Sequence, residues 1–415
     1  MTRSGVSFRR LRRRCDEILS ELPLPMPFDA GKLCDTVARR RGRTIRLEPM
    51  RSRRGVMGLW VAVDGADLIF YEQVTTPPHQ EHIILHELSH LLCGHEVTDL
   101  SAAEQVRLLM PSLDSGMVHR VLSRGSYSGV EEREAELLAS LIMQRSRRMF
   151  PLSGDVSAGI GRKLVVAGLV AALAYHVNKA LLPAMAAFGD DHARPLGHAL
   201  DAVLALVAFV CVPLGATMPA WGAFLRVPAL LEWFHRYRVY TVLRPLWGDL
   251  YRANPQIALL RPPHRLAGLL PPRDLGLRLY RRVIEIRDGR MIVRHHLDPA
   301  VAAAAWERAA AAGITGRKLD AVVEAATLSA ALRAASGDEA PAGEPSRDAV
   351  PGGDDLAGDV AFLCDVARAY RRSRRAWRLS RLPGARRLRR LRQAGRRSAA
   401  GPPDDGGRAT RRSTP

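Results

Sequence analysis

The chain has 415 residues, 47% of them hydrophobic, and a formal net charge of +20. This length is enough for two or three domains with sizeable cores. The charge is concentrated at one end, because residues 371–415 carry sixteen Arg and two Asp and alone account for +14. The total therefore does not predict a general nucleic-acid-binding face. The basic tail either stays solvated, which is the commoner case, or contacts nucleic acid or anionic lipid.

The cysteines are far apart and form no paired motif: Cys15, Cys34, Cys93, Cys211 and Cys364. An odd number in this arrangement argues against a disulfide framework and favours a reducing, cytosolic setting. The first residues are rich in Arg but lack an apolar run, so they do not predict a secretory signal.

Residues 1–25 form a basic extension, in which a helix is predicted over Phe8–Leu22 and is ended by the prolines that follow. A second helix is predicted over Phe28–Arg41, where small and apolar residues recur at helical spacing. Alternating patterns then predict three strands, the last two joined by an Asp-Gly hairpin turn: Thr44–Glu48, Met57–Val63 and Ala66–Tyr71.

The helix after these strands carries the most informative motif of the chain. Residues 86–90 read His-Glu-Leu-Ser-His, which is the H-E-x-x-H signature of zinc peptidases. Residues four apart lie on one face of a helix, so His86 and His90 can bind one Zn²⁺ through their imidazole nitrogens. Glu87 can then accept a proton from metal-activated water. A helix, a small sheet and a metal-binding helix in this order predict an α+β, zincin-like N-terminal domain.

Zinc peptidases use three protein ligands, so a third must be found. Cys93 and Glu96 stand where a metzincin needs Gly and His, which excludes that family. His95 is a minor candidate near the helix end, and the better source is the acidic helix predicted over residues 131–144. Spacing alone leaves three of its carboxylates open: Glu131, Glu132 and Glu136.

Three other polar side chains are of types that could serve a zinc peptidase site: His82, His119 and Tyr127. His82 lies one turn before the first ligand on the same face, where a histidine more often supports a ligand or caps a helix than binds metal or relays protons. His119 and Tyr127 have side chains suited to oxyanion stabilisation, but spacing assigns neither. Short helices are predicted at Ser101–Leu109 and Met117–Leu122.

The stretch Glu132-Arg-Glu-Ala-Glu-Leu-Leu-Ala139 resembles the E-x-x-A-(D/N)-x-F-A pattern of the ImmA/IrrE family of metallopeptidases. The resemblance covers residues 26–150 and includes the preceding helix, two of the strands and the motif helix. Leu138 and Glu136 depart from the residues that the family usually has, Phe and Asp or Asn. The resemblance implies a zincin-like metallopeptidase domain over these residues.

Carried over position by position, the resemblance makes Glu132 the third zinc ligand beside His86 and His90, and Glu87 the catalytic base. It also implies a narrow protein substrate, typically a helix-turn-helix repressor or an antitoxin. Roles in toxin–antitoxin systems, transcriptional regulation or the stress response would follow.

Residues 151–225 are predicted to form a transmembrane helical hairpin. About 20 apolar residues span a bilayer, so the uncharged run 202–225 is long enough and the run 164–188 is marginal. Arg residues flank the pair on both outer sides and Asp residues lie in the loop, which places both flanking parts in the cytoplasm. A buried helical pair in a soluble cytoplasmic protein is the alternative.

The remaining chain is predicted as a helical cytosolic domain, a Gly/Pro/acidic linker, a basic helix and a disordered tail: residues 226–335, 336–357, 358–394 and 395–415. Residues 240–300 resemble the cytosolic domain of uncharacterised actinobacterial membrane proteins that are sometimes labelled transporters. The matching stretches are Leu243–Trp247, Asn254–Ala258 and Leu277–Asp288.

Two functions remain open from the sequence. The first is a zinc endopeptidase, tethered at the cytoplasmic face of the cell membrane, that cleaves a regulatory protein. The second is a membrane-associated adaptor or transporter-related protein in which the zincin fold only binds a partner.

Overall fold

The computed structural model describes residues 8–51, 56–63, 65–95, 118–122, 129–146, 156–187, 194–224, 227–260, 274–335 and 350–380. This part of the chain is mostly helical and contains one small sheet. The strands are β1 (Thr44–Met50), β2 (Gly58–Val63), β3 (Ala66–Glu72) and β4 (Val118–Leu122). The α-helices are α1 (Phe8–Glu21), α2 (Ala30–Arg41), α3 (Pro77–Cys93), α4 (Glu131–Arg145), α5 (Val156–Ala187), α6 (Arg194–Phe224), α7 (Val227–Ala253), α8 (Leu275–Ile292), α9 (Pro299–Ala311), α10 (Arg317–Ala334) and α11 (Leu356–Ser380).

The sheet has the strand order β1-β3-β2-β4. β2 and β3 pair antiparallel, with Val63 opposite Ala66, which confirms the predicted hairpin. β1 pairs parallel with β3, and β4 pairs antiparallel with β2. The helix predicted at Met117–Leu122 is wrong: this valine-containing segment completes its backbone hydrogen bonds along the free edge of β2 instead. The other short helix, predicted at Ser101–Leu109, lies outside the described residues.

The motif helix α3 begins and ends at residues suited to helix termini. Pro77 and Pro78 occupy its first turn, where a missing N–H costs nothing, and Gly94 follows it in the left-handed conformation with φ 68°. α3 packs against β2 and β3 on one side and against α4 on the other. Leu85 and Leu88 are fully buried in these contacts, so the helix has little freedom to shift.

Helices α5 and α6 form an antiparallel pair with long apolar stretches. Gly161–Pro183 and Pro195–Met218 are long and apolar enough to cross a membrane, and only 11% of each stretch is buried. Glycines let the two backbones approach closely, since a Cβ on Gly215 would lie 2.9 Å from Cβ of Leu164. By length and composition the described part of the chain thus holds two candidate membrane-spanning helices.

The C-terminal helices share one continuous hydrophobic core with the N-terminal helices. Side chains from α1 to α4 and from α7, α8, α10 and α11 all belong to it. α8 lies at its centre and is buried over nearly its whole length. Of the predicted linker, residues 336–349 lie outside the described part, as do residues 381–415, so α11 is described only to Ser380. The division of residues 26–150 and 226–335 into separate domains stays a prediction.

Candidate metal centre

Helix α3 presents both histidines of the motif on one face. Nε2 of His86 lies 3.1 Å from Nε2 of His90, as expected for residues four apart on a helix. Both rings are buried, with exposed fractions of 2% and 0%. The two nitrogens that could bind a metal therefore face each other in a site that is closed on the α3 side.

Helix α4 brings a carboxylate to these nitrogens. Oε2 of Glu132 lies 3.5 Å from Nε2 of His86, and Oε1 lies 4.0 Å from Nε2 of His90. These three side chains form one of two groups among the described residues whose ligand atoms lie within 4.8 Å of one another. Of the carboxylates that spacing left open, Glu132 is the one in this group. Glu136 instead contacts the other ring nitrogen of His86, and Glu131 is not in either group.

The arrangement fits the requirements of a zinc ion. Zinc binds imidazole nitrogen and carboxylate oxygen at about 2.0–2.2 Å in tetrahedral geometry, so two ligand atoms lie about 3.3–3.5 Å apart. The separations of 3.1, 3.5 and 4.0 Å span this value. Oε1 of Glu132 is buried and has no hydrogen-bond partner among the described residues, which is the condition of an atom that a cation would satisfy.

The electrostatic environment also favours a cation. Burial opposes a positive charge on His86, but the carboxylates of Glu136, Glu132 and Glu87 outweigh burial and raise the pKa of this imidazole to about 10. Without a metal, the imidazole of His86 therefore keeps a proton, which supplies a positive charge at the site. A metal ion would displace that proton and take up the same negative potential.

Glu87 follows His86 directly on α3, and its negative charge acts on the His86 imidazole. It is buried, and its carboxylate lies against the backbone of Gly58 at the start of β2. A methyl group at position 58 would overlap Oε1 of Glu87 and would lie 2.7 Å from Cγ2 of Ile83. Gly58 thus leaves the space that Glu87 fills. The only sign in the sequence of this contact between Gly58 and Glu87 is a glycine at the start of a strand, a position where another group often approaches the backbone closely.

His82 lies outside the group of ligands and contacts Glu136. Its Nε2 is 2.7 Å from Oε1 of Glu136, and its Nδ1 is 2.9 Å from the hydroxyl oxygen of Tyr280. Burial lowers the pKa of His82 although Glu136 opposes this effect, so the ring stays neutral with one donor and one acceptor. The structure thus places His82 one residue removed from the metal centre.

His95 likewise contacts His90 but does not join the group of His86, His90 and Glu132. Its Nδ1 lies 3.0 Å from Nδ1 of His90, and its Nε2 lies 3.3 Å from Oε2 of Glu134. Cys93, His95 and Glu134 form the second group of closely spaced ligand atoms. The guanidinium of Arg14 lies 3.1 Å from Oε1 of Glu134, so a cation already compensates this carboxylate. The second group is therefore a poor site for a metal.

Two arginines near the centre could not be found from the sequence. Arg14 comes from helix α1, in the predicted basic extension, and Arg281 comes from α8, where it contacts Glu136. Arg281 is buried and Arg14 is exposed, and each ends a series of contacts that starts at His86 or at His90. The only signal in the sequence is that α8 alternates charged and apolar residues without a continuous polar face. Tyr127 lies outside the described residues, and for His119 only the backbone in β4 is described.

Comparison with known proteins gives one match. Residues 232–373 match a family of unknown function, DUF6545. No curated protein and no solved structure matches the chain. We refer to residues 232–373 as the DUF6545 region. It includes α8, so Arg281, which contacts Glu136, lies within the stretch that matches this family.

Proposed function

We propose that the chain is a zinc-dependent endopeptidase with a zincin-like N-terminal domain, and that it cleaves a specific protein. The observation that carries this proposal is the convergence of His86, His90 and Glu132 with the buried carboxylate of Glu87 beside them. The resemblance of residues 26–150 to the ImmA/IrrE family supports the same activity. It favours a helix-turn-helix repressor or an antitoxin as substrate.

Zinc bound to these three side chains would act as a Lewis acid that lowers the pKa of water to about 7 and polarises the scissile carbonyl. Glu87 accepts the proton of the attacking water and passes it to the leaving amine. The backbone of Gly58 limits where this carboxylate can lie, so the base is held in one position. The side chain of Glu132 is 25% exposed, whereas both histidines are almost fully enclosed. A peptide therefore approaches from the α4 side.

We place this activity at the cytoplasmic face of the membrane. The two apolar helices α5 and α6 support membrane association, because side chains such as Leu173 and Phe209 are 66% and 79% exposed. The charged side chains between these helices are paired, with Lys179 lying 3.7 Å from Asp201. Arg residues on both outer flanks of the pair favour the cytoplasmic side. A full-length chain that stays soluble after lysis without detergent would contradict this placement.

The metal is tested on the full-length chain purified in detergent. We expect bound zinc in the wild type and its loss in His86→Ala and Glu132→Ala. Glu131→Ala is the matched control, because it removes the neighbouring carboxylate of the same helical turn, which is not in the group of ligand atoms. Equal zinc content in Glu131→Ala and Glu132→Ala would refute the ligand assignment.

The reaction is tested with Glu87→Gln, which keeps the size of the side chain and all three ligands. We expect this variant to bind zinc like the wild type and to lose cleavage of helix-turn-helix repressors encoded beside the gene. Retained zinc and retained cleavage would refute the role of Glu87. Wild-type protein that binds such a repressor without cleaving it would support the adaptor function instead.

A further inference from the structure

We propose that Arg281 of the DUF6545 region is a positioning residue of the metal centre, acting on the ligand His86 through Glu136. This inference rests on the proposed zinc site. It makes the DUF6545 region a part of that site and assigns a role to a region whose family has none described.

The first contact is between a ligand and its support. Histidines that bind a metal through one ring nitrogen generally use the other to contact a carboxylate or carbonyl, which fixes the ring orientation and tautomer. Nδ1 of His86 lies 2.9 Å from Oε2 of Glu136, an ionic contact that is not aligned as a hydrogen bond. Glu136 therefore stands where the support of this ligand is needed, one helical turn after Glu132.

The second contact holds Glu136 in place. Glu136 is only 9% exposed, and a buried carboxylate must be paired with a cation or with hydrogen-bond donors. Arg281 contacts its Oε1 directly, and this is the same oxygen that lies 2.7 Å from Nε2 of His82. The position of the Glu136 carboxylate beside His86 thus depends on a residue of α8.

The third set of contacts fixes Arg281 itself. Its Nη2 lies 3.5 Å from Oε1 of Glu285, one turn further along α8. Glu285 in turn accepts hydrogen bonds from Nε1 of Trp247 at 2.7 Å and from the backbone N–H of Leu259 at 3.1 Å. The guanidinium of Arg281 therefore bridges two buried carboxylates, those of Glu136 and Glu285. A lysine has one charged nitrogen instead of a planar guanidinium with several N–H donors, so it could make only some of these contacts.

These contacts form a continuous path from the metal centre into the DUF6545 region. It runs from His86 through Glu136 and Arg281 to Glu285 and Trp247. A second contact joins α8 to α3, because the hydroxyl of Tyr280 forms a hydrogen bond with His82. The path begins at a residue of the H-E-x-x-H motif and ends on α7. The geometry of the ligand set therefore depends on how α8 lies against α3 and α4.

The test measures zinc affinity of the full-length chain in detergent by competition with a chromophoric chelator. We expect Arg281→Gln to weaken zinc binding by about 10- to 100-fold, as is typical when the support of a ligand is lost. Arg281→Lys should recover part of this loss. The absorption spectrum of the Co²⁺-substituted protein should change in Arg281→Gln, because the ligand ring is no longer held in one orientation.

The matched control is Arg294→Gln. Nη1 of Arg294 lies 3.2 Å from Oε2 of Glu72, so this variant also breaks a buried ion pair between the C-terminal helices and the sheet. Neither Arg294 nor Glu72 is one of the proposed ligands or one of the residues that contact them in the path described above. We expect its zinc affinity and cobalt spectrum to match the wild type. Equal losses in Arg281→Gln and Arg294→Gln would mean a general structural effect and would overturn the inference.

A double variant keeps the test decisive if Arg281→Gln fails to fold. Glu136→Gln with Arg281→Gln removes both charges of the Glu136–Arg281 pair, and Glu285 keeps its hydrogen bonds from Trp247 and Leu259. The zinc affinity of this double variant should be no weaker than that of Glu136→Gln alone. Additive losses would overturn the inference. Wild-type affinity in folded Arg281→Gln would overturn this inference alone, whereas absence of zinc binding by the wild type would overturn the proposed function.

Discussion

Gly58→Ala tests whether the position of Glu87 against β2 is the one in which it acts. The new methyl group would overlap Oε1 of Glu87 and would lie 3.0 Å from its Cδ and 2.7 Å from Cγ2 of Ile83. Contacts this short cannot persist, and the packing of Leu85 and Leu88 restrains α3, so the side chain of Glu87 must rotate away from its present position. The proposed ligands are other residues, and the three atoms nearest to the new group belong to Glu87 and Ile83.

The expected effects on stability, metal binding and catalysis differ in size. Overpacking a tight core site costs about 1–3 kcal/mol, so a drop of this size in the free energy of unfolding is expected. Zinc affinity should stay within about twofold of wild type, because the ligand set is unchanged. Cleavage should fall by about 100- to 10,000-fold, which is the usual contribution of a positioned general base. Chemical denaturation, chelator competition and initial cleavage rates measure the three quantities.

Gly248→Ala is the matched control for this prediction. Gly248 lies in helix α7, where an added Cβ would meet only Nη2 of Arg252 at 3.9 Å. The same substitution should therefore be neutral there or stabilise the helix by about 1 kcal/mol. If Gly58→Ala cleaved as fast as wild type while Glu87→Gln did not cleave, Glu87 would act from another position and the reasoning would be refuted.

Two further predictions concern the stability of the parts around the site. Arg287 of α8 and Asp359 of α11 form a buried ion pair, each 1% exposed, so Arg287→Met should lower the free energy of unfolding by about 3–5 kcal/mol in denaturant titration. A loss below about 1 kcal/mol would show that α8 and α11 do not need this pair. Gly215→Leu should separate α5 from α6 and lower the melting temperature in detergent, whereas Gly159→Leu, where an added Cβ meets no atom within 4 Å, should not.

Local sequence patterns predicted most of the N-terminal elements. The helix predicted over Phe28–Arg41 is observed as Ala30–Arg41, because Asp29 caps it by accepting from the backbone N–H of Lys32 and Gly42 ends it with φ 64°. The acidic helix predicted over residues 131–144 is observed as Glu131–Arg145. Such patterns succeed where the determinants lie within one or two turns of the residue concerned.

Strand pairing was harder to predict because it depends on residues far apart in the chain. The hairpin between β2 and β3 follows from its two-residue turn, but the parallel pairing of β1 with β3 has no local signal. The segment at Val118–Leu122 is short and was assigned to a helix, yet the open edge of β2 makes it a strand. Tertiary context thus makes a strand of a segment whose local pattern predicts a helix.

The candidate site divides in the same way between local and distant determinants. His86, Glu87 and His90 share one helix, so a spacing rule suffices to find them. Choosing Glu132 over its neighbours required either a family resemblance or the observed packing of α4 on α3, since all three carboxylates lie on one short stretch. Arg281 lies 145 positions from the carboxylate it contacts, and no spacing rule extends that far. A buried charge can be compensated from any part of a fold, because the requirement is for a charge at a point in space and not at a position in the chain.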